Sequence, residues 1–140
     1  MNDELLHELM GTQLAVLKQF HRVLTEERDA IISFSLEGIV RANNMKEELL
    51  IKLEFLEKEQ ERLAADRTAA GAPPKEWGPL REDFEQTLRE VKVALEKNMR
   101  LLTFSMDHVK TSIEKMVSFI NRASYGRRKE ALSFVVSKEI

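Results

Sequence analysis

The chain has 140 residues, 43% of them hydrophobic, which is enough for one domain with a buried core and excludes an intrinsically disordered protein. Its net charge is only −2, with both signs interleaved, so no overall field favours nucleic acid or an anionic membrane surface. The absence of cysteine excludes disulfides, thiol catalysis and thiolate metal sites. The acidic N-terminal segment does not resemble a signal peptide, and no uncharged apolar run is long enough to cross a bilayer, so the sequence predicts a cytoplasmic protein.

A first amphipathic helix is predicted over residues 3–32. Its apolar residues recur at helical spacing, and four of them follow each other by sevens: Met10, Leu17, Leu24 and Ile31.

A short break and a second helix follow. Ser33, Ser35 and Gly38 interrupt the pattern, and a second helix is predicted over residues 36–67. So short a connection makes the two helices antiparallel neighbours. The second apolar stripe is predicted to contain Leu36, Ile39, Leu49, Leu50, Leu53, Leu56 and Leu63. Three polar residues interrupt it and are expected to face a partner helix: Asn43, Glu57 and Gln60.

Residues 68–79 form the predicted loop, because all three prolines of the chain lie there. A third helix is predicted over residues 80–122, and it is the longest of the three. Its main apolar row is predicted to be Leu88, Leu95, Leu102, Val109 and Met116. Further apolar residues lie off this row: Val93, Leu101, Phe104 and Val117. The tail, a second copy of the chain or a binding partner are the three candidates to cover them.

After the third helix the composition changes to a basic cluster and a short apolar group. Residues 125–140 are therefore predicted to be a mobile C-terminal tail, separate from a helical bundle domain over residues 1–124. The predicted fold is all-α, an antiparallel bundle of three long amphipathic helices, with the tail as a candidate short fourth segment.

The sequence contains only part of one metal-binding pattern and no catalytic one. Glu4 and His7 have the Glu-x-x-His spacing of di-iron bundles, but the second copy of the motif is missing, because Ser105 precedes His108 at that spacing. No glycine-flanked serine on a strand-to-helix turn and no phosphate-binding loop occurs. The sequence predicts that the protein is not an enzyme and has no cofactor.

Three features resemble the FlgN family of flagellar type III export chaperones. The first is the acidic pair Glu26-Glu27 followed by a hairpin with Lys46 and a leucine run. The second is Asn98-x-x-Leu101-Leu102 on the third helix, and the third is Tyr125-Gly126 just after it. They occur in the family's order and at fitting distances.

The resemblance implies a cytoplasmic chaperone that binds the hook-filament junction proteins FlgK and FlgL before their secretion. It also implies that Tyr125 docks to the export gate protein FlhA. The surplus apolar surface of the third helix predicts that the client binds around Leu101, Phe104, Val109 and Met116. A structural adaptor that oligomerises without a client is the main alternative, and a homodimer is a further expectation.

Overall fold

The computed structural model describes residues 2–67 and 74–139, with side chains over residues 3–66 and 74–124. It contains three α-helices, α1 (Asn2–Ile32), α2 (Leu36–Arg67) and α3 (Gly78–Glu139), and a short 3-10 helix before α3. The described residues include no strand, so the predicted all-α bundle is confirmed. The chain divides into two compact units, Met1–Leu102 and Thr103–Ile140.

The helix bounds differ from the predicted ones mainly in α3. α1 begins one residue before the predicted start and α2 has the predicted bounds, whereas α3 begins at Gly78 and continues past the predicted end near Arg122 to Glu139. The run that follows Gly126 is rich in helix-forming Lys, Glu, Ala and Leu, so a single glycine does not end the helix. Residues 68–73 of the predicted loop 68–79 lie outside the described residues, and the rest of it contains the 3-10 helix Lys75–Trp77 and the start of α3 at Gly78. A separable tail over 125–140 remains a prediction.

The turn between α1 and α2 is built from backbone hydrogen bonds. The Ser35 N–H donates to the carbonyl of Ala30 at 2.8 Å and the Phe34 N–H donates to that of Ile31 at 3.1 Å, the two bonds of a Schellman motif. Phe34 has the left-handed φ of 55° that this motif requires. The Ser35 hydroxyl then accepts the N–H of Gly38 at 3.1 Å and so caps the start of α2.

The main core of the first unit lies where α1, α2 and the first part of α3 meet. All three helices contribute buried apolar side chains: Leu17, Phe20, Val23, Leu24, Ala42, Leu49 and Val91. A second, smaller cluster consists of Leu6, Leu63 and Trp77, with His7 stacked on the Trp77 ring at a centroid distance of 6.1 Å. Trp77 belongs to the 3-10 helix, so the chain is anchored on the hairpin just before α3 starts.

The predicted core faces are right for α1 and partly wrong for α2 and α3. Leu36 and Leu50 were expected to be buried but are 74% and 48% exposed, and Leu88 is 49% exposed. The inward face of α3 instead includes Phe84, Thr87, Val91, Ala94, Leu95 and Asn98. Thr87 and Asn98 are buried although they are polar. A prediction that places only apolar residues in the core therefore misses them.

The three polar residues that interrupt the apolar stripe of α2 do not all face a partner helix. The Gln60 side-chain amide donates to the Gln13 side-chain oxygen of α1 at 2.8 Å, so Gln60 faces its partner helix as expected. Asn43 and Glu57 are exposed, and the expectation is wrong for these two. Asn43 donates to Glu47 of its own helix instead.

Gly38 is expected to tolerate no side chain. A Cβ atom on Gly38 would lie 2.9 Å from the Cβ of Ala30, and both atoms are fixed to helix backbones. Gly38→Ala should therefore push the two helices apart and lower the free energy of unfolding by about 1–3 kcal/mol, less a few tenths from its better helix propensity.

Gly11→Ala is the matched control, because nothing lies within 4 Å of the Cβ position in the interior of α1. It should raise the free energy of unfolding by about 0.5–1 kcal/mol. Urea unfolding of both variants measures the difference. Equal effects of the two substitutions would contradict the close packing at Gly38.

Candidate functional site

A stripe of exposed apolar side chains runs along α3 in the described part of the second unit. It consists of Met106, Val109, Ile113, Met116, Val117 and Ile120, whose exposed fractions run from 43% to 63%. At about 100° per residue these six positions fall within roughly 100° of the helix circumference. The stripe is therefore one continuous face of a helix, of the width that a helix usually buries against a neighbour.

The two edges of the stripe differ in the size and charge of their side chains. Ser105 and Ser112, seven residues apart, border one side with small hydroxyl side chains, and Lys110 and Glu114 border the other with charges. Small residues on one edge allow a second helix to approach closely. The two methionines in the stripe have flexible side chains that adapt to differently shaped partners.

The four predicted client-binding residues do not share this face. Val109 and Met116 belong to the stripe, 43% and 63% exposed. Phe104 is 71% exposed but lies roughly 140° around the helix from Val109, and its ring stacks on that of His108. Leu101 belongs to the first unit and is half-buried. The structure thus exposes three of the four residues on two different faces.

Three of the residues quoted for the family resemblance, Glu27, Lys46 and Asn98, meet in a buried polar network. Glu27 of α1 is 7% exposed, and its carboxylate accepts an ion pair from Lys46 of α2 and a hydrogen bond from the Asn98 amide of α3 at 3.0 Å. The same amide nitrogen donates to the carbonyl of Leu24 at 2.8 Å. Among the described residues, every buried side-chain nitrogen and oxygen has a hydrogen-bond partner.

This network links all three helices through one carboxylate. Glu27, Lys46 and Asn98 stand out in the sequence, but their contact with one another was not predicted. The available signal was that Glu27 and Lys46 each stand at a position that helical periodicity turns inward, whereas Asn98 lies off the apolar row predicted for the third helix. A buried charge is retained only when it is paired, so an inward acid on one helix and an inward lysine on its neighbour indicate one shared contact.

Tyr125, the predicted docking residue for the export gate, lies on α3, and its side chain is outside the described residues. Glu4 and His7 form no metal site with a third ligand: over residues 3–66 and 74–124, no group of three or more His, Cys, Asp or Glu side chains could hold a metal ion. No described helix is long and apolar enough to span a membrane.

The fold and its exposed faces define a class of protein: a helical bundle whose long third helix has an exposed apolar face. The comparison with known families then identifies the particular family within this class. The model of the FlgN protein family matches residues 1–133, and the chain belongs to this family. FlgN proteins are flagellar export chaperones rather than enzymes. No curated protein and no solved structure matches the chain.

Asn98 is expected to contribute to stability through its two buried hydrogen bonds. Asn98→Ala removes the donor to both the Glu27 carboxylate and the Leu24 carbonyl. An unsatisfied buried acceptor costs about 1–3 kcal/mol, so the free energy of unfolding should fall by that amount.

Gln86→Ala on the same helix is the control. The Gln86 amide donates to Glu90 at 3.2 Å but is exposed to solvent, so its loss should change the stability by less than about 0.5 kcal/mol. Chemical denaturation monitored by circular dichroism gives both values. If the two variants were equally stable, the network would have no role in holding the helices together.

Proposed function

We propose that this protein is a cytoplasmic export chaperone for the flagellar hook-filament junction proteins, FlgK and FlgL, and that it delivers them to the type III export gate. Membership of the FlgN family carries the chaperone role. The observation that supports the client class is the exposed apolar stripe of α3, which is a surface for another helix.

The physical logic of this assignment starts from the client. A junction protein has terminal segments that become paired helices only in the assembled flagellum, so in the cytoplasm their apolar faces lack a partner. A helix with an exposed apolar stripe can accept such a segment as an additional helix. The chaperone thereby keeps the segment from self-association until export.

The stripe is a modest contact surface. Each of its six side chains is roughly half exposed, so burial by a client helix contributes about 1 kcal/mol per residue. The association of two molecules and the ordering of a flexible segment offset much of this gain, so binding through the stripe is proposed to be reversible.

Val109 and Met116 are the central client contacts in this proposal, because both lie in the stripe. Leu101 and Phe104 lie outside it and are proposed as contacts of a client that reaches a second face of α3. Tyr125 is proposed to dock to the export gate protein FlhA. A tyrosine has a rigid apolar ring with one polar end, which suits a transient interface.

The alternative function is a structural adaptor that self-associates without a client. It is favoured by a second set of exposed apolar residues, on α2. A homodimer and a client-binding role do not exclude each other. Co-purification with a flagellar secretion client separates the chaperone from a pure adaptor.

Met116→Glu is expected to weaken client binding. The substitution places a charge in the middle of the stripe, where a client helix would have to desolvate it. The dissociation constant for the C-terminal helical segment of FlgK, measured by titration calorimetry, should rise by roughly tenfold or more.

Thr111→Glu is the matched control, because Thr111 is exposed and lies on the face opposite the stripe. It adds the same charge to the same helix and should leave the affinity unchanged. Phe104→Glu reports separately on the second face. If Met116→Glu and Thr111→Glu had the same effect, the stripe would not be the client site.

Tyr125→Ala should separate docking from client binding. The client affinity should stay unchanged, while the affinity for the cytoplasmic domain of FlhA and the amount of secreted client should fall. Ser124→Ala, the preceding position, serves as the control and should change neither. Unchanged gate binding would refute the docking role, and a lower melting temperature would indicate that the ring instead packs on the bundle.

A further inference from the structure

A groove of about 470 Å³ lies in the first unit between α1 and the first part of α3. Its apolar lining consists of Leu24, Val93 and Ala94. Leu24 is buried, whereas Val93 is 48% exposed, so the groove contains an apolar side chain that the core does not use. All of its lining residues belong to the first unit, and none of them is part of the stripe.

The charged lining of this groove is mostly basic. Arg28 comes from α1, and Arg89 and Lys97 come from α3. Glu90 is the one carboxylate among the described lining residues, and it accepts a hydrogen bond from Gln86 at 3.2 Å. Arg28 and Lys97 form no ion pair with any residue that the structure describes. The groove therefore has a local excess of positive charge, although the net charge of the chain is −2.

We propose that this groove binds a short acidic amphipathic helix of another protein. Two helices that lie side by side leave a groove in which a third helix can pack its apolar face. The apolar row of the bound helix contacts Val93 and Ala94, and carboxylates on its two edges pair with Arg28 of α1 and Lys97 of α3. The lining residues span roughly 10 Å of α1 and roughly 18 Å of α3, so a segment of about three turns fits.

The charge of the groove favours an acidic protein segment over other occupants. Residues 125–140 of the chain itself contain four basic and two acidic residues, so the same cations would repel them. A nucleic acid could pair its phosphates with the cations, but the described lining offers no Phe, Tyr or Trp ring on which a base could stack. An acidic amphipathic helix is complementary to both the cations and the apolar lining.

A designed peptide of about thirteen residues tests the groove, with leucines at helical spacing and glutamates on both sides of them. Its dissociation constant for the full chain is measured by fluorescence anisotropy. Lys97→Glu should raise this constant at least roughly tenfold, because it replaces an attraction by a repulsion. Lys92→Glu is the matched control: Lys92 is exposed and lies roughly 140° around α3 from Lys97, so the constant should not change. Circular dichroism checks that both variants retain their helices.

Two results would overturn the proposal. One is that the wild-type chain does not bind the peptide at roughly 1 mM. The other is that Lys97→Glu and Lys92→Glu have the same effect.

The charged and the apolar parts of the contact are tested separately. A peptide with glutamine in place of every glutamate should bind at least roughly tenfold more weakly, and added salt should weaken binding of the glutamate peptide. Val93→Ser removes apolar contact area and should raise the dissociation constant severalfold. Leu88→Ser is its control, because Leu88 is 49% exposed on another face of α3. Equal binding of the two peptides would refute recognition by charge, and equal effects of the two serine variants would refute contact with Val93.

Two further measurements separate this groove from the client site and from the tail. Lys97→Glu should leave the affinity for the C-terminal helical segment of FlgK unchanged. A loss as large as that of Met116→Glu would assign the groove to the client and refute a separate site. A peptide with the sequence of residues 125–140 should not displace the acidic peptide, and displacement would assign the groove to the tail. The acidic peptide is not a flagellar client, so its failure to bind would leave the proposed chaperone role untouched.

Discussion

The arrangement of the three helices in the first unit depends on one buried contact, in which the Glu27 carboxylate binds the Lys46 ammonium group and the Asn98 side-chain amide. Burying a carboxylate is costly unless it is paired, and here Lys46 supplies the charge and Asn98 a hydrogen bond. Because each partner comes from a different helix, moving any helix by one turn, about 5.4 Å, would leave the buried carboxylate without one partner. Apolar packing alone tolerates such shifts far better. We infer that the network fixes the register of α1, α2 and the first part of α3.

This register decides which residues are available for binding. In the first unit it turns Phe84, Val91 and Asn98 inward, so that Val93 on the same helix stays exposed. Within the second unit, the apolar residues between Met106 and Ile120 are exposed as one face. The helices thus contain more apolar surface than the core of the first unit uses. Under the proposed chaperone role this surplus is the binding surface, because an unpartnered helix face can accept the apolar face of a client helix.

The sequence predicted the helices well and their faces less well. Long periodic segments determine where helices exist, and Pro73-Pro74 and the Ser-Gly turn mark two of their boundaries. The inward face of α3 was misassigned because Thr87 and Asn98 occupy core positions, where hydrogen bonds to Asp83, Glu27 and the Leu24 carbonyl satisfy them. The spacing of apolar residues in the sequence does not reveal these hydrogen bonds. The end of α3 was missed because helix-forming residues follow Gly126.

The predicted client-binding residues were grouped without regard to the faces of the helix. Surplus apolar residues on the third helix led to that prediction, and two of the four residues, Val109 and Met116, fall on the stripe. Phe104 was grouped with them although it lies on another face, because the prediction combined residues of the main apolar row with residues off it. The apolar face of α2 was not recognised, since Leu36 and Leu50 were assigned to the core. Only the exposed fractions in the folded chain separate the two faces of that helix.

Hydrogen exchange of the full chain, with and without the C-terminal helical segment of FlgK, tests most directly whether a client binds on the stripe of α3. If the client binds on the stripe of α3, the backbone amides of residues 103–122 should exchange more slowly in the presence of the segment, because a bound client suppresses local opening of the helix. The amides of α2 over residues 36–55 should exchange at the same rate in both samples. If the exchange rates over residues 103–122 were unchanged in a sample shown to contain the complex, the client would not bind on this stripe.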